Sequence, residues 1–117
     1  MSEISVTLES EALTPGETLS GTVTWKAGQV DAIRINLIWF TQGKGDMDHH
    51  TVESQSVSHP SGFGSHRFSF NLPENPYSFS GKLLSLIWAV EVFLEPSDES
   101  DRREFTLSPN GREVVLT

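Results

Sequence analysis

Leu83-Leu84-Ser85-Leu86-Ile87-Trp88-Ala89-Val90-Glu91-Val92-Phe93-Leu94 is the longest apolar stretch of the chain, interrupted only by Ser85 and Glu91. Two readings compete for it. A buried helix would place apolar residues at i, i+3, i+4 and i+7, whereas a half-buried strand places them at every second position. Leu84, Leu86, Trp88, Val90, Val92 and Leu94 fill one parity without a gap, and they include the β-branched and aromatic types that suit a pleated surface. The stretch therefore reads as a strand with one face in a core. It is also well short of the roughly 20 residues a membrane-spanning helix requires.

The same period runs outward in both directions. Ile4, Val6 and Leu8 share a parity, as do Leu19, Gly21, Val23 and Trp25, and then Ile33, Ile35, Leu37 and Trp39. Leu13-Thr14-Pro15-Gly16-Glu17 separates the first two runs as a turn, because proline presets φ and glycine accepts φ > 0. Ala27-Gly28-Gln29 and the polar Lys44–Asp48 are further breaks. In Thr51–Ser58 the two valines, Val52 and Val57, fall on opposite parities, the mark of a bulge or of a polar edge strand. His66, Phe68, Phe70 and Leu72 share a face. Beyond the acidic turn Glu95–Asp101 come Phe105 and Leu107, a Ser108-Pro109-Asn110-Gly111 turn, and Val114 with Leu116. About eight short strands separated by regular turn signals predict an all-β, two-sheet antiparallel sandwich of immunoglobulin-like type.

Two blocks go beyond a generic sandwich. Leu13-Thr-Pro15-Gly16-Glu17-Thr-Leu-Ser-Gly21-Thr-Val23 resembles the opening "PGe…sGxV" of the arrestin family. Phe68-Ser-Phe70-Asn-Leu72-Pro73-Glu-Asn-Pro76-Tyr-Ser78-Phe79-Ser-Gly81 with Leu86-Ile-Trp88-Ala-Val90 resembles that family's "FxFxLP…PxSFxG…IxYxL", with Trp88 in place of the usual tyrosine. The resemblance covers residues 4–94 and implies an arrestin-like sandwich of the N-terminal type, 1–117 forming one domain. It further implies a non-enzymatic adaptor or scaffold that works through protein contacts. The sequence departs from arrestins proper in offering one sandwich, no interdomain set of buried charges and no Pro-Pro-x-Tyr tail. Receptor binding is therefore not carried over. Independently of any family, Pro73 should end a strand because it lacks the ladder N–H. Pro76 and Gly81 should shape a segment that crosses between sheets.

Composition narrows the function classes. The 117 residues carry a formal net charge of −8, which repels nucleic-acid phosphates and anionic lipid heads. There is no cysteine, so no disulfide and no thiolate chemistry. The opening Met1-Ser-Glu-Ile lacks the basic and apolar blocks of a leader, which makes the cytoplasm the expected location.

Candidate chemistry is sparse. Ser61-Gly62-Phe63-Gly64-Ser65 is not a nucleophile elbow and reads as a flexible connection. His49 and His50, adjacent in a strand, point to opposite faces and cannot readily ligate one metal together, while His59 and His66 flank the next loop near one end of the sandwich. His66 reads as a partly buried imidazole. The acidic turn lacks the glycine and closing glutamate of a calcium loop, and Arg102 and Arg103 are placed to pair with its carboxylates. Trp25, Trp39 and Trp88 all fall on core parity, which leaves no aromatic platform for a sugar. No enzyme activity, cofactor, metal or small-molecule substrate is expected.

The outward faces are the anomaly. With Ile33, Ile35, Leu37 and Trp39 in the core, Ile38 and Phe40 face out, and the next long strand sends Ile87, Ala89 and Phe93 out. If those strands are neighbours, Ile38, Phe40, Ile87, Ala89 and Phe93 form one apolar patch suited to a protein partner or a homodimer. A loop covering that face is the competing possibility. The strands Thr51–Ser58 and Arg112–Thr117 could also offer open edges to an extended peptide. The expectation is a protein-interaction module. The alternatives are a structural subunit of a homo-oligomer, or a metal-binding sandwich using its end loops.

Overall fold

A computed structural model of the chain describes residues 3–43, 48–58, 62–81, 84–95, 97, 99–109 and 114–115. They form β1 (Glu3–Leu8), β2 (Ala12–Leu13), β3 (Thr18–Lys26), β4 (Ala32–Gly43), β5 (His49–Ser58), β6 (Phe63–Asn71), β7 (Phe79–Ser80), β8 (Leu84–Glu95), β9 (Ser100–Leu107) and β10 (Val114–Val115). The long strands follow the predicted period of two, and the described residues contain no helix. Two stretches expected to be irregular differ in part: Ala12–Leu13 forms a short strand, and the Ser61–Ser65 connection is strand from Phe63 onward.

Three strands make the smaller sheet, in the antiparallel order β1-β3-β6. In the larger sheet β5, β4 and β8 lie side by side, antiparallel. The far edge of β8 is divided, with β7 pairing at Leu86 and Ser85 and β9 pairing from Trp88 to Phe93. Two short parallel pairings, β10 on β7 and β2 on β9, extend this forked side. β4 and β8 meet with Trp39 opposite Trp88, so the neighbour relation on which the apolar patch depends is present. The register of β5 on β4 shifts between Leu37 and Ile38, which is the bulge that Val52 and Val57 foretold.

The core lies between the two sheets and takes Val6, Leu19, Val23, Phe68 and Phe70 from one, with Ile33, Ile35, Leu37, Trp88, Val90, Val92 and Leu94 from the other. Trp88 is fully buried, and its indole Nε1 donates to Pro76 O at 2.8 Å. An indole N–H left unpaired there would cost about 1–3 kcal/mol. The crossing segment thus supplies the polar contact that the largest core side chain needs. Trp39 departs from expectation. It is half-buried and stacks on His50 with ring centroids 5.3 Å apart. Gly21 sits on the core parity of β3, where an added Cβ would collide with Thr7 O and approach Phe68 Cζ to 2.7 Å.

The two family-like blocks meet in space. Thr14–Glu17 is a β-turn closed by Glu17 N–H donating to Thr14 O at 3.1 Å. Gly16 holds φ at 85°, the left-handed conformation that a type II turn demands at its third residue. Gly16 N–H donates to Leu72 O at 3.1 Å and Leu72 N–H to Glu17 O at 3.0 Å, tying the turn to the end of β6. The chain then crosses from the smaller to the larger sheet through residues 72–78, as Pro73 and Pro76 implied. Ser78 N–H reaches Leu107 O at 2.7 Å, and Leu107 N–H returns to Ser78 Oγ at 3.0 Å.

Candidate interaction surfaces

On the outer face of the larger sheet, the register brings the five candidate residues onto one side. Ile38 lies opposite Ala89, Phe40 opposite Ile87, and Phe93 opposite Arg34. Their exposure is not what the sequence suggested. Ile38 and Ala89 are wholly buried and Phe40 retains 6% of its surface, while Ile87 and Phe93 are half-buried. One side chain contributes to the cover: the Arg102 guanidinium lies 4.7 Å from the centre of the Phe40 ring. Arg102 pairs with Glu91 across β8, two residues from Ala89, and Phe40 pairs with Ile87, two residues to the other side. To reach the ring, the arginine stem must pass over Ala89, and a methyl group is what leaves it room. On the other flank Thr51 and His49 stand beside Ile38 and Phe40. A second apolar layer thus backs the core across the same two strands, closed by a cation resting on an aromatic face.

Arg102 was expected to pair with the acidic turn, and so was Arg103. Arg103 Nε instead donates to Val6 O at 3.1 Å, and Asp101 Oδ2 accepts from Val6 N–H at 2.9 Å. Both main-chain groups that Val6 turns away from β3 are thereby satisfied, so β9 seals the rim of β1 with side chains rather than with a ladder. The signal was present in the sequence. Asp101 and Arg103 share the parity of Phe105 and Leu107, and two charged groups on a core parity announce that the strand has run past the core.

The opposite rim is open. β5 pairs only with β4 and β6 only with β3 among the described residues. A side-chain bond bridges them, Gln55 Nε2 to Ser69 O at 2.7 Å. From Phe63 to Arg67 every residue of β6 is exposed, with Phe63 at 76%, the largest exposed aromatic surface among the described residues. His66 is exposed as well, against its predicted half-burial, because the facing sheet does not cover this end of β6.

The remaining candidates stay apart. His49 and His50 do alternate across β5, the latter turned onto Trp39. His59 lies outside the described residues, as do parts of the acidic turn and of the Arg112–Thr117 strand. Among the described residues, no three His, Asp or Glu side chains converge. An open cleft of about 390 Å³ sits where β7 and β9 divide, lined by Glu11, Gln42, Ser85 and Glu104. A recess beside Phe93, bounded by Arg34, Asn36 and Glu95, holds Ser97 Oγ, which is buried without a hydrogen-bond partner among the described residues.

Two sheets of this order, joined by the crossing segment after β6, make the fold an arrestin-like β-sandwich. The structure is similar to that of Spo0M, a sporulation control protein from Bacillus subtilis, with a TM-score of 0.68 and 23% sequence identity. The likeness covers 92% of this chain and 49% of that one, so the chain spans about half the length of this neighbour. No protein-family model and no curated protein sequence matches the chain. Among the described residues, no helix is long and apolar enough to cross a membrane.

Proposed function

We propose that this chain is a non-enzymatic, cytoplasmic protein-interaction module of arrestin-like type, one domain over residues 1–117, that needs no cofactor. The observation carrying the proposal is the second apolar layer. An antiparallel sheet ordinarily buries one face and solvates the other. Here β4 and β8 are apolar on both, with an outer layer of Ile38, Phe40, Ala89 and Ile87 on which the Arg102 guanidinium rests at Phe40. Half-buried Phe93 lies on the same face beyond the Asn36–Glu91 rung, beside a buried hydroxyl that lacks a partner among the described residues. A client docking there covers Phe93 and Ile87 and meets Ser97, with Ile38, Phe40 and Ala89 as the support beneath. The likeness to a sporulation control protein is in keeping with a regulatory role.

The test places a photo-crosslinking phenylalanine analogue at Phe93 and, separately, at Phe63 on the opposite sheet. A client is expected to cross-link from position 93 in native-cell extract and to be lost from a Phe93→Asp chain that still folds. The absence of any adduct from position 93, or the same adduct in equal yield from position 63, would overturn the reading.

A further inference from the structure

We propose that β6 is a self-association edge, the segment Phe63–Arg67 pairing antiparallel with the same segment of a second copy about a two-fold axis at Ser65. The alternation of hydrogen bonds along β6 is fixed at both ends. Ala27 N–H donates to Gly62 O at 2.6 Å and Leu72 N–H to Glu17 O at 3.0 Å, so the even-numbered residues turn their main-chain groups to β3. The odd-numbered ones, Phe63, Ser65, Arg67 and Ser69, turn theirs to the rim, which is why Ser69 O is free to accept from Gln55. Upstream of Ser69 the rim is bare: no described residue meets the outward N–H and C=O of Phe63, Ser65 or Arg67.

Of the usual devices that blunt an edge this stretch has one, the exposed Arg67, whose guanidinium pairs with Glu9 of the same chain. It has neither proline nor lysine, and its register on β3 runs unbroken from Thr18–Asn71 to Lys26–Phe63. β5, the neighbouring rim, carries a bulge instead. Charge selects the occupant. Residues 63–71 contain no acid, the nearest ion-paired one being Glu9 on Arg67, whereas the chain as a whole carries −8, so a second copy meets less repulsion here than the net charge implies.

The segment is also self-complementary. A two-fold axis at Ser65 sets Phe63 opposite Arg67 of the second copy, twice, on the face turned away from the core. An aromatic ring then lies against a guanidinium stem in each pair. The two small sheets would join into one of six strands. Five residues a side bury far less than the roughly 1,200 Å² of a stable interface. The expected dimer is accordingly weak, with a dissociation constant on the order of 0.1–1 mM. This edge belongs to the sheet opposite the client face, so the two proposals stand or fall separately.

Sedimentation velocity from about 10 μM to about 1 mM tests it. The full chain is expected to pass from monomer to dimer across that range. Ser65→Pro removes an outward N–H that β3 does not use and should leave a folded monomer. Phe63→Lys, on an exposed side chain, sets like charges opposite each other and should weaken the dimer about tenfold even if the proline variant fails to fold. Because the chain has no cysteine, Ser65→Cys should form a covalent dimer under mild oxidation far faster than Ser56→Cys on β5. A chain monomeric at about 1 mM, a dimer indifferent to both variants, equal cross-linking from the two cysteines, or capture of a foreign extended peptide in place of a second copy would each overturn the proposal.

Discussion

At the scale of single residues, Arg102 decides how much of the outer face is apolar. Its guanidinium rests 4.7 Å from the centre of the Phe40 ring, in a layer where Ala89 and Ile38 are wholly buried. Arg102→Ala should lower stability by about 1 kcal/mol, the worth of one cation–π contact with its associated packing. It should also raise the binding of a hydrophobic dye, since Phe40 and Ile38 would then meet solvent. A urea midpoint and a dye titration read the two effects. An unchanged dye signal would show that the guanidinium is not the cover. Ala89 has the complementary role, because any larger side chain there would lift the arginine off the ring.

At the scale of elements, the Thr14–Glu17 turn is held as much by its last side chain as by its backbone. Glu17 Oε1 accepts from Thr14 Oγ1 at 2.6 Å and from Thr14 N–H at 2.8 Å. These bonds favour the carboxylate, the hydroxyl first and the amide second, and hold the Glu17 pKa below its ordinary 4.5. The sign follows from linkage. A depressed acid contributes stability that is complete above the ordinary carboxylate value and is lost as pH falls through the folded-state value. Glu17→Gln should therefore lower stability in the neutral region and converge on the parent at low pH, which flattens the acid limb of the stability curve. Thermal melts from about pH 7 down to about pH 3 read this directly. An acid limb as steep as that of the parent would place the titration elsewhere.

The elements also show where sequence reasoning stops. The parity of Leu84–Leu94, the bulge near Val52 and the crossing through Pro73 and Pro76 were all legible, because each is written in a few neighbouring residues. The half-exposure of Trp39 and the exposure of His66 were not. A period of two says which way a side chain points, but not where the opposite sheet ends. The cover over Ile38 and Phe40 was hidden for a related reason: it depends on three strands in register and on a small residue at Ala89. The partner-facing role of the five outward residues was inferred from polarity alone, and it stands as a proposal that Phe93 and Ile87 now carry.

On the scale of the whole molecule, the sandwich has one sealed rim and one open rim. Asp101 and Arg103 close the first through the two bonds to Val6, while the second ends in main-chain groups along β6 that no described residue meets. Asp101→Ala should speed hydrogen exchange at the Val6 amide at least about tenfold, equivalent to a loss of about 1–3 kcal/mol at that site. Amides of β1 that already bond to β3 should change far less. Uniform acceleration across β1 would instead mean that the side-chain seal holds the entire strand in place.

That seal joins residues 95 and 97 positions apart in the chain. A ribosome adding about 5–20 residues per second needs roughly 5–20 s to deliver the closing side chains after β1 has emerged. Through that interval the outward main-chain groups of Val6 wait for their partners and are open to pairing with another chain. The order in which the strands leave the tunnel therefore leaves this flank of β1 dependent on a strand made much later.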